Sequence, residues 1–185
     1  MGTLRIVAGR LKGRRLLVPH DPALRPTSDR VREALFNILG QDLSGFLVLD
    51  LYAGTGALGL EAISRGARQA VFVEASARTA RALRSSAEDL GAAKEARVIV
   101  GRVDDVLTLE RLGGPYDVVF ADPPYDQTVE AGLVARIAAA RVLASHGTLV
   151  LERDAKTPLD DSPGRLVLVR SARYGRTALD FFKYR

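Results

Sequence analysis

The residues with the clearest chemical content are four consecutive ones, Asp122-Pro123-Pro124-Tyr125, which follow an apolar run ending at Ala121. Two prolines cannot continue a strand ladder, so we expect the strand to end there and the following loop to be stiff. The Asp122 carboxylate and the Pro123 carbonyl could accept the two N–H groups of an exocyclic amine, concentrating the nitrogen lone pair toward an electrophile. Tyr125 could stack on the base that carries the amine. These residue types favour a catalytic site over the alternative, a simple strand terminator.

A glycine-rich turn follows the apolar run 47–51 and is the second candidate site. Gly54 and Gly56 allow a sharp turn and a close approach of the backbone to a ligand. The same stretch fits the fingerprint G-x-G-x-x-G, with Glu74 placed to accept ribose hydroxyls, so an NAD-dependent dehydrogenase is an alternative. However, Asp50 would repel a pyrophosphate and attract the ammonium group of a methionine moiety. Together with the Asp122 loop, the turn favours S-adenosyl-L-methionine as the cofactor.

Alternating strands and helices must bring these two stretches together. Continuous β-branched runs, typical of strands buried on both faces of a parallel sheet, occur at 47–51, 70–74, 97–100, 116–121 and 147–151. Helices are predicted at 58–64, 78–90 and 129–143. Two more strands, 166–174 and 177–184, are joined by a glycine-containing turn and predict an antiparallel hairpin. The predicted fold class is α/β, a doubly wound, Rossmann-like and mostly parallel sheet that ends in this hairpin.

The first 40 residues are predicted to form a small basic extension. The segments 4–8 and 14–18 suggest two short strands joined by a turn, and Thr27 or Ser28 can cap a helix that ends near Leu39. We therefore divide the chain into an extension, 1–40, and a catalytic domain, 41–185, which together form a single compact unit.

Basic residues are concentrated at the two ends of the chain, whose net charge is +5. Residues 1–32 carry a net charge of +6, residues 33–164 one of −6, and residues 165–185 one of +5. If the ends meet in space, they would form one basic face that attracts a phosphate backbone; the alternative is ordinary solvated arginine. The arginines assigned to this RNA-binding face are Arg10, Arg14, Arg25, Arg30, Arg32, Arg173 and Arg176.

Composition narrows the function classes further. The chain has no cysteine, and its two histidines, His20 and His146, are far apart, so disulfides and thiolate metal sites are excluded and no metal is expected. No apolar run approaches the ~18–20 residues of a membrane span, and the N-terminus lacks the apolar stretch of a signal peptide. We expect a soluble, cytoplasmic protein.

Five stretches of the sequence resemble a known family: 5–13, 25–37, 50–59, 122–125 and 174–177. The sequence is similar to the bacterial 16S rRNA (guanine-N2)-methyltransferases, class I enzymes that use S-adenosyl-L-methionine and carry the Asp-Pro-Pro-Tyr loop. The resemblance covers nearly the whole chain. The glycine turn and the loop are shared with other amino-methyltransferases, whereas 5–13 and 25–37 are more specific and decide the assignment.

The resemblance implies a seven-stranded sheet, a monomer, and transfer of a methyl group to the N2 amine of one guanine in 16S rRNA, with S-adenosyl-L-homocysteine as the product. It also implies that 25–32 shapes the RNA side of the cleft, and that the RNA is presented within assembling or assembled small ribosomal subunits.

One stretch departs from the family pattern. After the third strand, such enzymes often place an acidic or amide residue and then a small residue at the adenine ring, whereas this chain has Gly-Arg-Val-Asp-Asp at 101–105. Depending on register, 102–103 or 104–105 occupies the pocket; we favour Val103 and rank Asp104 lower. The predicted cofactor-binding residues are Asp50, Ala53, Gly54, Gly56, Glu74, Val103 and Asp104, and the predicted catalytic residues are Asp122, Pro123 and Tyr125.

Other functions stay open on the residues alone. An adenine-N6 methyltransferase acting on DNA or RNA would use the same loop, although 185 residues leave little room for the target-recognition region that DNA enzymes usually add. An NAD-dependent dehydrogenase is disfavoured by Asp50 and by the Asp122 loop. A non-catalytic RNA-binding protein would need only the basic ends. The preference for guanine over adenine comes from the family resemblance alone.

Overall fold

The computed structural model describes residues 4–19, 27–108, 112–124, 132–158 and 165–185. Its strands are β1 Leu47–Leu51, β2 Gln69–Glu74, β3 Ala96–Val100, β4 Tyr116–Ala121, β5 Leu143–Asp154, β6 Leu166–Tyr174 and β7 Thr177–Tyr184. Its helices are α1 Asp29–Leu39, α2 Ala57–Ser64, α3 Ala77–Asp89, α4 Val103–Val106 and α5 Leu133–Ala139. None of these helices has the length and apolar character that crossing a membrane requires.

The seven strands form one sheet in the order β3-β2-β1-β4-β5-β7-β6. Strands β1 to β5 are parallel, whereas β7 runs antiparallel to both of its neighbours, β5 and β6. We call the side on which β1 to β5 end the carboxyl edge, and the side on which they begin the amino edge. The predicted α/β fold, a mostly parallel sheet ending in an antiparallel hairpin, is confirmed.

Both faces of the sheet are covered. On one side, the α1 face, the buried core includes residues from α1, α2, α3 and the segment 4–16. On the other side, the α5 face, it includes residues from α4 and α5. The rings of Phe36 on α1 and Phe120 on β4 meet edge to face with centroids 5.8 Å apart, which packs α1 directly over the centre of the sheet.

Helix α1 begins where the sequence indicates. Ser28 is the N-cap, and its hydroxyl accepts the Val31 N–H at 3.3 Å. The helix ends at Gly40, whose φ of 117° takes the chain out of the helical region while its N–H still bonds to the Phe36 carbonyl. Of the two predicted caps, Ser28 therefore fills this role, which leaves the neighbouring Thr27 hydroxyl free for another partner.

The extension contains less regular structure than predicted. In place of two strands, the segment 4–18 has one isolated bridge, between Arg5 and Arg15. Its backbone is held instead by polar groups of α2, because both oxygens of Glu61 accept backbone N–H groups, from Val7 at 2.8 Å and from Ala8 at 2.9 Å. In a regular strand, consecutive N–H groups point to opposite sides and could not both bond to one carboxylate, so docking on α2 replaces strand pairing at Val7 and Ala8.

Two boundaries on the C-terminal side also differ from the prediction. The predicted helix 129–143 is observed as Leu133–Ala139, with 129–131 outside the described residues. The predicted strand 147–151 is observed as Leu143–Asp154, because Leu143 pairs with Tyr116 before a register shift and Asp154 pairs with Thr177. The extra residues at both ends of this strand are added by pairing with β4 and β7, which the local sequence does not reveal.

Candidate functional site

The two predicted stretches meet at the carboxyl edge. Strands β1 and β4 are neighbours, and their last residues, Leu51 and Ala121, are paired in register. The glycine turn and the Asp122 loop therefore leave the sheet side by side. The strand order also reverses between β1 and β4, since β2 and β3 lie on one side of β1 and β4 lies on the other. In open α/β sheets, a crevice at such a switch point is the usual place for a ligand.

The glycine turn adopts a conformation that side chains disfavour. Gly54 has φ 53° and Gly56 has φ 74°, both in the left-handed region. Gly56 is also the N-cap of α2, and a Cβ there would lie 2.8 Å from Cγ of Leu83. The turn is fixed by hydrogen bonds from Ala53 N to the Val73 carbonyl at 3.0 Å and from Gly56 N to the Ala53 carbonyl at 2.7 Å.

Replacing Gly56 with Ala is expected to lower the free energy of unfolding by roughly 1–2 kcal/mol, the cost of a left-handed residue with a side chain. It should also weaken binding of the predicted cofactor, because the turn must shift away from Leu83. Calorimetric titration with S-adenosyl-L-methionine and urea unfolding measure the two effects. Gly91→Ala is the matched control, since Gly91 has φ 68° with open space around its Cβ position. That control should lose stability alone, and equal loss of cofactor affinity in both variants would contradict the assignment.

Glu74, at the end of β2, supports the same turn. Its Oε2 accepts the Gly54 N–H at 2.9 Å, and its Oε1 accepts the Ser76 N–H at 2.7 Å. The backbone carbonyl of Glu74 accepts the Gly101 N–H at 3.0 Å, which joins the ends of β2 and β3. Each carboxylate oxygen keeps a further lone pair, so this arrangement is compatible with the predicted contact to ribose hydroxyls.

Asp50 is more enclosed than the sequence suggested. It is 2% exposed, and its Oδ2 accepts the Gly59 N–H in the first turn of α2 at 2.9 Å. Burial raises the pKa of Asp50 to about 8; the bond from Gly59 opposes this shift, and the charge of Glu74 adds to it. A buried carboxyl of this kind is stabilised as an anion by a nearby cation, which fits the predicted ammonium group.

Asp50→Asn is expected to change how stability depends on pH. The folded carboxyl has a pKa of about 8, against a reference value of 3.8, so its contribution to stability is fully present at low pH and is lost as the pH rises toward 8. The stability of the wild type relative to Asp50→Asn should therefore fall between pH 5 and pH 9 by more than about 1.4 kcal/mol, the equivalent of one pKa unit. Urea unfolding at both pH values measures it, and a pH-independent difference would contradict the buried acid.

Tyr52, between Asp50 and the glycines, was missed by the sequence reasoning. Its φ is 59°, which is rare for a bulky residue and recurs at functional sites. Burial raises the pKa of its hydroxyl, and so does the charge of Asp104; a side-chain hydrogen bond with Arg136 lowers it. Nε of Arg136 lies 3.2 Å from Oδ1 of Asp104. Tyr52 thereby links the glycine turn to α4 and α5, and its place two residues before Gly54 was the signal that could have suggested this.

The two candidates after β3 have different environments. Val103 begins α4, is 4% exposed and belongs to the core of the α5 face. Asp104 is half exposed and forms the ion pair with Arg136 described above. Both lie at the carboxyl edge, next to the strand that carries Glu74.

The loop after β4 is described only in part. Asp122 is half-buried, Pro123 is buried and Pro124 is exposed. Tyr125 lies outside the described residues, so two of the three predicted catalytic residues are placed. Among the described residues, no group of three or more His, Cys, Asp or Glu side chains is arranged to hold a metal ion.

The predicted RNA-binding arginines fall into separate groups. Arg173 and Arg176 flank the β6–β7 turn at the carboxyl edge, and Arg30 is exposed on the first turn of α1. Arg10 pairs with Glu95 at 2.9 Å, and Arg14 donates to the carbonyl at the end of α3, so both lie at the amino edge. The structure therefore does not bring these five arginines onto one face, and Arg25 lies outside the described residues.

Arg32 was wrongly assigned to the RNA-binding face. It is fully buried, and its Nη2 donates to the Arg5 carbonyl and to Oδ1 of Asp29, both at 2.6 Å. Its guanidinium connects α1 to the segment 4–18 and cannot contact a bound nucleic acid in this conformation. Arg32 precedes Phe36 by four residues, which places it beside the apolar stripe of α1, and this spacing was the available signal.

A further acidic residue at the carboxyl edge was also missed. Glu152, near the end of β5, is 5% exposed, and its Oε2 accepts the Thr27 hydroxyl at 2.8 Å. It directly follows the apolar run 147–151, as Glu74 follows 70–73 and Asp122 follows 116–121. A recurring acidic residue after a buried strand was the signal that could have identified it.

Known proteins are similar to this chain in both sequence and fold. A family model described as "Conserved hypothetical protein 95" matches residues 4–183. The chain is 34% identical over 182 residues to "Ribosomal RNA small subunit methyltransferase D" of Escherichia coli strain K12, covering 98% of this chain and 90% of that protein. The solved structure of yhhF from Escherichia coli matches with a TM-score of 0.85 and 34% identity, over 99% of this chain and 98% of that one.

A more distant solved structure, that of SMU.776 complexed with SAH, has a TM-score of 0.70 at 16% identity and covers 87% of this chain and 50% of that chain. At this identity the likeness concerns the fold alone, which is that of the class I methyltransferases.

Proposed function

Because this chain belongs to the family described as Conserved hypothetical protein 95, and because its site has the chemistry set out above, we propose that it transfers a methyl group from S-adenosyl-L-methionine to the N2 amine of one guanine in 16S rRNA. The observation that carries the proposal is the register pair Leu51 and Ala121, which places the glycine turn beside Asp122 and Pro123. The relative named as a small-subunit rRNA methyltransferase supports the RNA substrate.

The residues of the first site fit the proposed cofactor. The left-handed glycines bring the backbone close to a ligand, Glu74 is held by Gly54 and Ser76 with lone pairs left for ribose hydroxyls, and Asp50 is a buried acid suited to a cation. Val103 and Asp104, at the end of β3, are proposed to border the adenine ring. When bound there, the cofactor supplies a methyl group already activated by its sulfonium.

The second site would hold the amine. We assign the Asp122 carboxylate and the Pro123 carbonyl as acceptors for its two N–H groups, which favours a pyramidal nitrogen whose lone pair faces the methyl group. As the N–C bond forms and the S–C bond breaks, the sulfonium charge is neutralised and the nitrogen must lose one proton. Asp122 is the proposed first acceptor of that proton, and Tyr125 is proposed to stack on the base. Alignment of the two reactants then supplies much of the rate.

The proposed RNA contact lies at the carboxyl edge. Arg30, Arg173 and Arg176 are exposed there, and Arg25, which lies outside the described residues, is proposed to take part in the same contact. Arg10 and Arg14 lie at the amino edge, so any contact that they make with RNA would be remote from the target base. We propose a cytoplasmic monomer that acts on RNA of assembling or assembled small ribosomal subunits.

The decisive experiment is transfer of a labelled methyl group from S-adenosyl-L-methionine to unmodified small-subunit particles, to their naked RNA and to duplex DNA, followed by nucleoside analysis. N2-methylguanosine at one RNA position is the expected product. N6-methyladenine in DNA or RNA would keep the reaction and overturn the substrate. Absence of transfer despite measurable cofactor binding would overturn the proposal.

A further inference from the structure

Glu152 lies beside the proposed catalytic loop. Ala121 on β4 is paired in register with Leu151 on β5, and Asp122 and Glu152 each follow that pair by one residue. Adjacent strands are about 4.8 Å apart, so the backbones of Asp122 and Glu152 are neighbours at the carboxyl edge. Val150, two residues earlier, belongs to the core of the α1 face, as does Leu179, the register partner of Glu152 on β7. The alternation of side chains therefore places Glu152 on the α1 face.

The Glu152 side chain is held by the segment that precedes α1. The Thr27 hydroxyl donates to Oε2 across 125 residues of sequence, and both residues are buried. Glu152 therefore lies between the start of α1 and Asp122. Burial raises the pKa of Glu152, whereas the bond from Thr27 lowers it. Within the part of the chain that the structure describes, the Thr27 hydroxyl is the one hydrogen-bond donor to this side chain. A buried carboxylate needs more than one donor to balance its lost hydration, and a substrate can supply another.

We propose that Glu152 is a specificity-determining residue that accepts the N1–H of the target guanine while Asp122 accepts an N–H of its N2 amine. This inference rests on the proposed function. The edge of guanine presents N1–H and the N2 amine as adjacent donors, and two adjacent acidic residues match that pattern. Adenine presents a ring-nitrogen lone pair beside its amine, which an ionised Glu152 would repel. The Asp122 loop type is shared by amino-methyltransferases that act on guanine and by those that act on adenine. The Glu152 carboxylate is therefore the group that selects guanine here.

The alternative is that Glu152 only anchors Thr27 and the start of α1. Substrates separate the two roles, because 2-aminopurine keeps the N2 amine of guanine but has a lone pair at N1. Recognition of N1–H predicts that the wild type prefers guanine to 2-aminopurine by at least about tenfold in kcat/KM, since a site built around a donor rejects the analogue that lacks it. An anchoring role affects both RNAs equally.

The test uses the methylated position mapped in the transfer assay. Small-subunit particles are reconstituted with RNA carrying guanosine or 2-aminopurine at that position, and kcat/KM is measured for the wild type and for Glu152→Gln. A carboxamide still accepts the Thr27 hydroxyl and can donate to the 2-aminopurine ring nitrogen. We therefore expect Glu152→Gln to lose activity on guanosine and the preference to fall toward one. Thr27→Val, the control, should change both rates by the same factor.

Several outcomes would overturn the inference. If the wild type methylates both RNAs with equal kcat/KM, the inference is overturned before any variant is measured. If Glu152→Gln keeps the wild-type preference for guanosine, Glu152 only anchors Thr27. If Glu152→Gln does not fold, Glu152→Asp keeps the charge and should keep the guanosine preference at a lower rate; loss of the preference there would also count against the proposal. A wild type that does not methylate the guanosine particle contradicts the proposed function instead, so the two failures are distinguishable.

Discussion

Replacing Asp122 with Asn is expected to reduce kcat for methyl transfer on the order of 10²–10³-fold, the effect of removing one preorganised group that stabilises a transition state. The carboxylate becomes a neutral amide, so it no longer balances the positive charge that develops on the attacking nitrogen and no longer accepts its proton. Because this interaction strengthens only as the N–C bond forms, the loss should fall on kcat, with small changes in the dissociation constants of RNA and cofactor. Single-turnover assays with labelled cofactor, together with filter binding of small-subunit RNA, separate these quantities.

Asp89→Asn is the matched control for this experiment. Asp89 is the last residue of α3, is exposed and lies at the amino edge. The same chemical change there should leave kcat within about twofold, because Asp89 is exposed and remote from the proposed site and such surface substitutions change stability by only about 0.5 kcal/mol. Near-normal turnover of Asp122→Asn would remove Asp122 from the proposed chemistry. Loss of RNA binding in parallel with turnover would assign it to binding instead.

The sequence was sufficient for the parts of the site that depend on local pattern. Buried β-branched runs predicted the parallel strands, and glycines after β1 predicted a turn that is observed with Gly54 and Gly56 in the left-handed region. Because parallel strands that are neighbours end at one edge, the meeting of this turn with Asp122 follows from the strand order. That order comes from the general behaviour of doubly wound sheets and from the family resemblance.

The structure departs from the sequence-based expectations at residues whose partners are distant in sequence. Arginine is usually a surface residue, but the guanidinium of Arg32 donates to the Arg5 carbonyl, and no local pattern indicates that the segment 4–18 docks on α1. Arg10 and Arg14 share a basic segment with Arg30, yet the extension crosses the molecule and places them at the opposite edge. The distribution of charge along the chain therefore predicted binding to a phosphate backbone, but it did not predict which arginines share one face. That depends on tertiary contacts.

Among the residues that hold the segment 4–18 on α2, Glu61 is expected to be the most sensitive to substitution. Glu61→Ala should lower the free energy of unfolding by about 3–5 kcal/mol. Glu61 is fully buried, and its Oε1 lies 2.9 Å from Nη2 of Arg65, in addition to accepting the Val7 and Ala8 N–H groups. The Arg65 guanidinium lies 4.5 Å above the Phe36 ring centroid. Truncation at position 61 would leave a buried cation and two backbone donors without their acceptor, and each carries a desolvation cost.

Urea unfolding of the wild type and Glu61→Ala measures this effect, with Glu88→Ala as the control. Glu88 is exposed on α3, so its replacement should change stability by less than about 0.5 kcal/mol. Arg65→Met and the double variant complete a cycle. The double variant should lose less than the sum of the single losses, since removing both charges removes the unpaired cation while Val7 and Ala8 still lack an acceptor. Hydrogen exchange of the Val7 and Ala8 amides should accelerate in Glu61→Ala even where the sheet stays protected. A loss below about 1 kcal/mol with unchanged exchange would mean that the segment 4–18 is held by its apolar contacts alone, and that α2 positions the glycine turn independently of this segment.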